Sequence, residues 1–124
     1  MRVEDFNPAM LGKLQEMNRE RGEAQANDYF DRSVKSGFHG FAAFADDRMI
    51  GWYWWVDRDN PVPHPDLFRL GRGFRLEPGD VYGASFFLHE DHRGGNRAGE
   101  FLFRVESALR DRGYKRLWGY VDAD

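Results

Sequence analysis

Residues 81–102 of the chain read VYGASFFLHEDHRGGNRAGEFL, and this stretch decides the fold. Its first part, residues 81–88, is continuous and mostly apolar, which predicts a central β-strand. From Arg97 to Arg112, apolar residues recur at helical spacing and Gly113 follows, so this segment predicts an amphipathic helix that ends at the glycine. The charged and glycine-rich residues between them form the loop that connects the strand to the helix.

The connecting loop has the composition of an anion site. Gly94, Gly95 and Asn96 allow the backbone to turn with its N–H groups exposed. The start of the following helix adds N–H donors without partners inside the helix, and the positive end of the helix dipole. Arg93 and Arg97 add charge and forked donors that fit phosphate oxygens, so the loop predicts a phosphate site. A plain strand-to-helix turn with two solvated arginines is the alternative.

Two common phosphate loops do not fit these residues. The sequence lacks G-x-x-x-x-G-K-[ST], which is the loop of Walker-type nucleotide hydrolases. It also lacks a clean G-x-G-x-x-G followed about 20 residues later by an acidic residue, the pattern of dinucleotide-binding domains. The loop is therefore predicted to serve another class of phosphate-bearing ligand.

Further strands are predicted on both sides of residues 81–88. Residues 38–45 and 49–56 predict an antiparallel hairpin, because they are rich in strand-forming residues and a short polar turn separates them. Residues 114–121 predict a strand after the helix, and a strand–helix–strand unit makes its two strands parallel with a right-handed crossover. Residues 1–6 predict the end of a first strand.

Two helices are predicted before the hairpin. Asn7 is a favourable N-cap and Pro8 a favourable first residue for a helix that runs to about Arg21. A second, shorter helix is predicted over residues 28–36. This order of elements predicts an α/β fold with a mixed central sheet and helices on both faces, in one domain over residues 1–124.

The composition narrows the classes of function. A net charge of −3 over 124 residues, with acids and bases interspersed, argues against nucleic-acid binding. The absence of cysteine excludes disulfides and thiolate sites and favours a reducing, cytoplasmic location. No apolar run approaches the ~20 residues of a membrane span, and no signal-peptide pattern is present, so no membrane association is predicted. No metal-ligand spacing occurs, and no metal site is predicted.

The second strand of the hairpin is unusually aromatic. Trp52 and Trp54 share one face of the predicted strand, and Tyr53 and Trp55 share the other. One pair is predicted to lie in the core, whereas the other lines an acceptor pocket or lies under the helices. Residues 57–79 predict a long loop whose aspartates either attract a cationic amine or are simply solvated.

Residues 88–102 resemble the cofactor motif of the GNAT superfamily of N-acetyltransferases. In that family, Arg or Gln stands five residues after the strand end and begins the pattern R/Q-x-x-G-x-G/A before an apolar helix. Arg93 takes the first place here and Ala98 the last. Asn96 stands where the family usually has glycine, and asparagine adopts left-handed conformations more readily than other non-glycine residues. The order of elements over residues 8–124 also resembles that of the family.

The resemblance implies an N-acetyltransferase that moves an acetyl group directly from acetyl-CoA to an amine of a small molecule or peptide. The backbone of Leu88, His89 and Glu90 would pair with the pantetheine arm, as a peptide adds to a strand edge. The thioester would lie in a gap between the strands at residues 81–88 and 114–121. The pyrophosphate would be held by amides of Arg93, Gly94, Gly95, Asn96, Arg97, Ala98 and Gly99.

Four residues are candidates for the general base: Glu90 and His89, with Tyr82 and Ser85 further back on the strand. Each has a structural alternative, because loop carboxylates and histidines are commonly solvated and a strand tyrosine commonly packs in a sheet. A backbone N–H near Leu88 is the candidate for polarising the thioester carbonyl.

Relatives in this superfamily normally have a further helix and two strands after the fifth strand. The chain is therefore expected either to be a fragment or to be completed by a partner, since the strand at residues 114–121 would otherwise be an open edge. Pairing of two copies through this edge is the predicted form of oligomer.

Two other functions are compatible with the sequence. A non-catalytic module would keep the CoA fold as a sensor or partner surface. A nucleotide-phosphate binder of a different fold would use the same loop without the acyl chemistry.

Overall fold

The computed structural model describes residues 1–23, 31–32, 34–35, 37–60 and 76–119 of the chain. In this part of the chain, five strands form one sheet in the order β1-β2-β3-β4-β5. The strands are β1 (Arg2–Asp5), β2 (His39–Ala45), β3 (Arg48–Asp57), β4 (Asp80–Leu88) and β5 (Arg116–Gly119). The helices are α1 (Leu11–Glu20), which a 3₁₀ turn at Pro8–Met10 precedes, and α2 (Arg97–Asp111).

The sheet is mixed, as predicted. The pairs β1–β2, β2–β3 and β3–β4 are antiparallel, and β4–β5, which α2 connects, is parallel. The hairpin turn lies at Asp46 and Asp47, and Asp46 adopts a left-handed φ of 53°. Asn7 caps the first helical turn as predicted, because its Oδ1 accepts a hydrogen bond from the Ala9 N–H at 2.9 Å.

The two helices cover opposite faces of the sheet, which confirms the predicted fold class. Leu14 and Met17 of α1 pack with Trp52 and Trp54 on one face. Tyr53 and Trp55 lie on the other face in the cluster that α2 completes. All four aromatic side chains of β3 are at most 6% exposed, so both pairs belong to the core and neither lines an open acceptor pocket. The α2 residues in that cluster are Phe101, Val105 and Leu109.

Some predicted elements lie partly outside the described residues. Of the helix predicted over residues 28–36, the structure describes four residues, and these are helical. Most of the predicted loop at 57–79 lies outside the description, as do residues 120–121 of the last predicted strand.

A β-bulge divides β4 in two. Trp54 pairs with Ser85 and Trp55 with Gly83, so Ala84 is the extra residue on β4. The bulge also marks the end of the described pairing with β5, which runs from Asp80 opposite Arg116 to Gly83 opposite Gly119. Beyond it, β4 continues to Leu88 with no β5 residue of the described range opposite.

Ion pairs and buried hydrogen bonds hold the first part of β4 to its surroundings. Asp80 is 3% exposed and pairs with Arg116 of β5. Burial alone would favour the neutral acid, but hydrogen bonds from the Glu77 N–H and from Arg116 hold the pKa of Asp80 below its usual value. Nearby, the Tyr114 hydroxyl donates to Asp57 Oδ2 at 2.5 Å, and burial together with this carboxylate raises the pKa of Tyr114 to about 12.

In the described part of the chain, β5 is the outer strand of the sheet. Its Leu117 and Trp118 are each 42% exposed. Pairing of two copies along this edge stays a prediction, which sedimentation velocity over a concentration series would test.

Candidate active site

The loop after β4 consists of two 3₁₀ turns, at Glu90–His92 and Gly94–Asn96. Gly95 and Asn96 both have left-handed backbones, with φ of 64° and 60°. Arg97, which follows, is right-handed. A left-handed residue next to a right-handed one turns successive N–H groups into one concave surface, which suits an anion. The expectation that Asn96 replaces a glycine by adopting the left-handed conformation is confirmed.

The start of α2 keeps its N–H donors available. Asn96 occupies the N-cap position but makes no side-chain capping bond. Its side chain lies over Gly99 instead, where an added Cβ would come within 2.5 Å of Asn96 Oδ1. Arg97 Nη1 lies 3.5 Å from His92 Nδ1, and its side chain is otherwise exposed. The helix start therefore presents N–H donors that no side chain caps, beside an exposed guanidinium.

Arg93 has a different position from the one that sequence alone suggested. Its Nε donates a hydrogen bond of 2.6 Å to the carbonyl oxygen of Leu88. Its guanidinium carbon lies 5.4 Å from the centre of the Phe87 ring. Arg93 thus ties the loop to the end of β4, and Arg97 is the arginine that stands at the helix start.

The backbone at the end of β4 directs donors toward the β5 side. The His89 N–H donates to the Ile50 carbonyl at 2.6 Å, so it points toward β3. Because backbone groups alternate along a strand, the N–H and C=O of Leu88 point the other way. Arg93 binds that carbonyl, whereas the Leu88 N–H points to the side of β4 where no β5 residue of the described range lies opposite. An extended chain on that side would meet this donor.

The two base candidates in the loop, His89 and Glu90, differ in their ability to accept a proton. His89 Nδ1 accepts a hydrogen bond from the Asp91 N–H at 3.2 Å, so the neutral ring must carry its proton on Nε2. His89 can then donate through Nε2 but cannot take a proton there. Glu90 is exposed, and its carboxylate makes no hydrogen bond within the described residues. Glu90 is the candidate with a free acceptor.

The structure does not bring Tyr82 to these residues. Tyr82 is 1% exposed and pairs with Trp118 of β5. It stands six residues before Leu88, a distance of roughly 20 Å along a strand. Tyr82 is a core residue on the far side of the bulge.

One residue near the candidates was not predicted. Arg21, which follows α1, lines a cleft of about 150 Å³ together with Phe87, His89, Glu90 and Arg93. No local signal in the sequence marks Arg21, because its relation to β4 depends on how α1 packs across the sheet.

A larger cleft of about 690 Å³ lies between α1 and the turn from β2 to β3, and of the loop residues only His92 reaches it. Three of its charged side chains already have partners. Arg48 bonds Glu20 at 2.8 Å, and Lys13 Nζ donates to the Asp47 carbonyl at 3.1 Å. The chemistry-bearing residues therefore remain with the smaller cleft at the end of β4.

Solved structures of N-acetyltransferases share this fold. The ribosomal-protein-alanine N-acetyltransferase from Brucella melitensis biovar Abortus 2308 aligns with a TM-score of 0.67 at 14% identity, over 98% of this chain and 80% of that one. The aminoglycoside N-acetyltransferase AAC(6′)-Iy in complex with CoA aligns with a TM-score of 0.63 at 14% identity, over 99% and 81%. The aminoglycoside 6′-N-acetyltransferase AAC(6′)-Ig from Acinetobacter haemolyticus gives 0.63 at 12% identity, over 100% and 81%.

The chain therefore has the fold of the GNAT acetyltransferases, as its sequence predicted. AAC(6′)-Iy has also been solved with a bisubstrate analogue that joins CoA to an acetylated neamine. No protein-family model matches the sequence, and no curated protein matches it either. Within the described residues, no helix combines the length and apolar character that crossing a bilayer requires.

Proposed function

We propose that the chain binds acetyl-CoA and transfers its acetyl group to an amine of a small molecule or peptide. The observation that carries the proposal is the end of β4. There, a strand edge whose Leu88 N–H points away from β3 leads directly into a helix start that no side chain caps, with left-handed Gly95 and Asn96. An extended arm that ends in a pyrophosphate matches this order of donors. The fold shared with enzymes solved with CoA supports the same assignment.

Each part of the site has a role in this proposal. The amides from Arg93 to Gly99 and the Arg97 guanidinium would hold the pyrophosphate. The Leu88 N–H would donate to the thioester oxygen as negative charge develops on it. Ala98 and Gly99 would contribute first-turn amides, and the Gly99 position keeps the Asn96 side chain close to the helix.

Acetyl-CoA supplies an acyl thioester: the amine nitrogen bonds to the carbonyl carbon, the C–S bond breaks, and the thiolate leaves and takes up a proton. Only the free amine is nucleophilic, so a base must remove a proton from the ammonium form. Glu90 would accept it, directly or through one water. His89, whose Nε2 carries the proton of the neutral ring, would donate a hydrogen bond to the leaving thiolate, which takes its proton from water.

Calorimetry with acetyl-CoA tests the cofactor half of the proposal. Replacing Arg97 with alanine should weaken binding about tenfold, because a charge-assisted contact to phosphate is lost. Arg93→Ala should also weaken binding, by releasing the loop from Leu88. Arg110→Ala is the matched control, since Arg110 is an exposed arginine at the opposite end of α2. Unchanged affinity in both loop variants would remove the assignment of the phosphate site.

A thiol-release assay over a panel of amines tests the transfer half. Turnover should be lost in large part in Glu90→Gln without a matching change in acetyl-CoA affinity. Tight cofactor binding without turnover on any amine would favour the alternative of a non-catalytic CoA module.

A further inference from the structure

The small cleft at the end of β4 collects charge of both signs around one aromatic ring. We call it the Arg21 cleft, and it is lined by Arg21, Phe87, His89, Glu90 and Arg93. It opens on the α1 face of the sheet. Phe87 stacks on Trp52 there, with ring centres 4.6 Å apart, and Trp52 belongs to the core beneath α1. The cleft is thus built on a fixed aromatic floor.

Two guanidinium groups lie close to the Phe87 ring. The Arg21 guanidinium carbon lies 3.7 Å from the centre of the Phe87 ring, and the Arg93 carbon lies 5.4 Å from the same centre. Each cation gains from the face of the ring. Two like charges held near one point also repel one another, and a bound anion between them would remove that cost.

Neither arginine is neutralised by an acid within the described residues. The one side-chain hydrogen bond of Arg21 there goes to Asn18 Oδ1 at 3.3 Å, and that of Arg93 goes to the Leu88 carbonyl. A guanidinium has five N–H donors in a fork that matches a carboxylate or a phosphate. Most of the donors of Arg21 therefore remain available to a ligand.

The other side of the cleft is suited to an amine. Glu90 lines it with a carboxylate that has no hydrogen-bond partner in the described part of the chain. Glu90 is also the base candidate for the transfer reaction. The cleft thus offers a positive side at Arg21 and a negative side at Glu90, with the end of β4 between them.

We infer that the acetyl acceptor is an amine that also carries an anionic group, a carboxylate or a phosphate, and that Arg21 binds this group. The inference rests on the proposed transferase function and names its class of acceptor. Arg21 is a specificity residue in this assignment, because it positions the acceptor without touching the reacting atoms. A polycationic amine is disfavoured, since the two arginines repel it.

Steady-state kinetics with matched acceptors test the inference. The panel contains glycine and longer ω-amino acids, each beside its carboxamide, and phosphoethanolamine beside ethanolamine. The anionic member of at least one pair should be used about tenfold more efficiently than its neutral partner. The carboxylate and phosphate pairs distinguish the two sources of negative charge.

Replacing Arg21 with glutamine should raise KM for the preferred anionic acceptor about 10- to 100-fold and leave KM for acetyl-CoA unchanged. Arg21→Lys should retain part of the preference, because it keeps the charge and loses the fork. Arg19→Gln is the matched control, since Arg19 is an exposed arginine two residues earlier, in the last turn of α1. Circular dichroism checks that each variant is folded.

Three outcomes would overturn the inference and leave the proposed function standing. These are equal use of anionic and neutral amines, an Arg21 variant that keeps the preference, and an Arg21 variant that raises KM for acetyl-CoA, which would assign the cleft to the cofactor. If no amine is acetylated, calorimetry on CoA-saturated protein decides: binding of an anionic amine that Arg21→Gln abolishes supports the cleft, and no binding overturns it. Failure to bind acetyl-CoA overturns the proposed function itself.

Discussion

The two parts of β4 differ in how they are held. Before the bulge, residues 80–83 are hydrogen-bonded to β3 on one side and to β5 on the other. Asp80 closes this end with a part-buried ion pair to Arg116, and Tyr114 closes it with a part-buried hydrogen bond to Asp57. After the bulge, the strand keeps its β3 partner, and no β5 residue of the described range lies on the other side.

The difference separates stability from function along one strand. Where β5 covers β4, the backbone pairs with a strand on each side, and Asp80, Val81 and Tyr82 are buried. Beyond the bulge, the Leu88 N–H and the start of α2 offer donors that a ligand can use. Open donors of this kind do not stabilise the free chain, so the second part depends on the first for its position. Substitutions in the closed part, before the bulge, should therefore lower the free energy of unfolding more than substitutions in the open part, after it.

The largest effect is expected at Gly83 in the closed part. An added Cβ would overlap the hydroxyl of Tyr53, which stands over this glycine and is 6% exposed. Burial and the charge of Glu106 raise the pKa of Tyr53 to about 12, so the hydroxyl stays neutral over the working range of pH. Gly83→Ala should lower the free energy of unfolding by about 2–3 kcal/mol, measured by urea denaturation.

Two further variants show whether the Tyr53 contact is the cause. In Tyr53→Phe the obstructing oxygen is absent, so Gly83→Ala should cost at least about 0.5 kcal/mol less there. Gly12→Ala is the matched control, because Gly12 lies in α1 with nothing within 4 Å of an added Cβ. It should stabilise the chain by up to about 1 kcal/mol. Equal losses at Gly83 and Gly12 would contradict the contact.

A smaller effect is expected at the ion pair that closes β4 against β5. Asp80→Asn removes a charge that accepts from the Glu77 N–H and from Arg116. Because Arg116 is 57% exposed, solvent screens the pair, and the expected loss is about 1–2 kcal/mol at pH 6.

The pH dependence of this loss gives a sharper test. The pKa of Asp80 lies below its usual value of 3.8, so its contribution to stability is present above about pH 4 and is lost as pH falls through the lowered pKa. The difference in the free energy of unfolding between wild type and Asp80→Asn should therefore shrink as the pH falls below about 4. Asp47→Asn, in the exposed hairpin turn, is the control with no expected change. If this difference in the free energy of unfolding stays constant with pH, the ion pair is not its cause.

Local sequence predicted the elements on which the site stands. The helix α2 could be predicted because its apolar residues recur at helical spacing, and the strand β4 because it is a continuous, mostly apolar run. The left-handed conformation of Asn96 could be anticipated from its residue type alone. These features depend on a residue and its near neighbours.

The composition of the site could not be predicted in the same way. Beyond the bulge at Ala84, each side chain of β4 lies on the opposite face from the one that simple alternation from Val81 gives. Phe87 therefore packs on the α1 face, with Arg21 above it, whereas Phe86 packs against Phe101 of α2. Nothing near residues 81–88 in sequence marks this shift, because it depends on the register with β3.

The smallest effect is expected at Asn96 in the open part. Its φ of 60° is a conformation that glycine adopts freely, asparagine tolerates, and alanine adopts at a cost of about 1 kcal/mol. Asn96→Gly should therefore change stability by less than about 0.5 kcal/mol, because relief of backbone strain offsets the lost contact with Gly99 and the added flexibility of the unfolded chain.

Acetyl-CoA affinity should be retained in Asn96→Gly and reduced in Asn96→Val, since only a left-handed residue at this position keeps the amides of Arg97 and its neighbours concave. Calorimetry and urea denaturation on the two variants separate these effects. Equal affinity in both would show that the ligand does not depend on the left-handed turn, and the contrast between the closed and open parts of β4 would then rest on the strand edge alone.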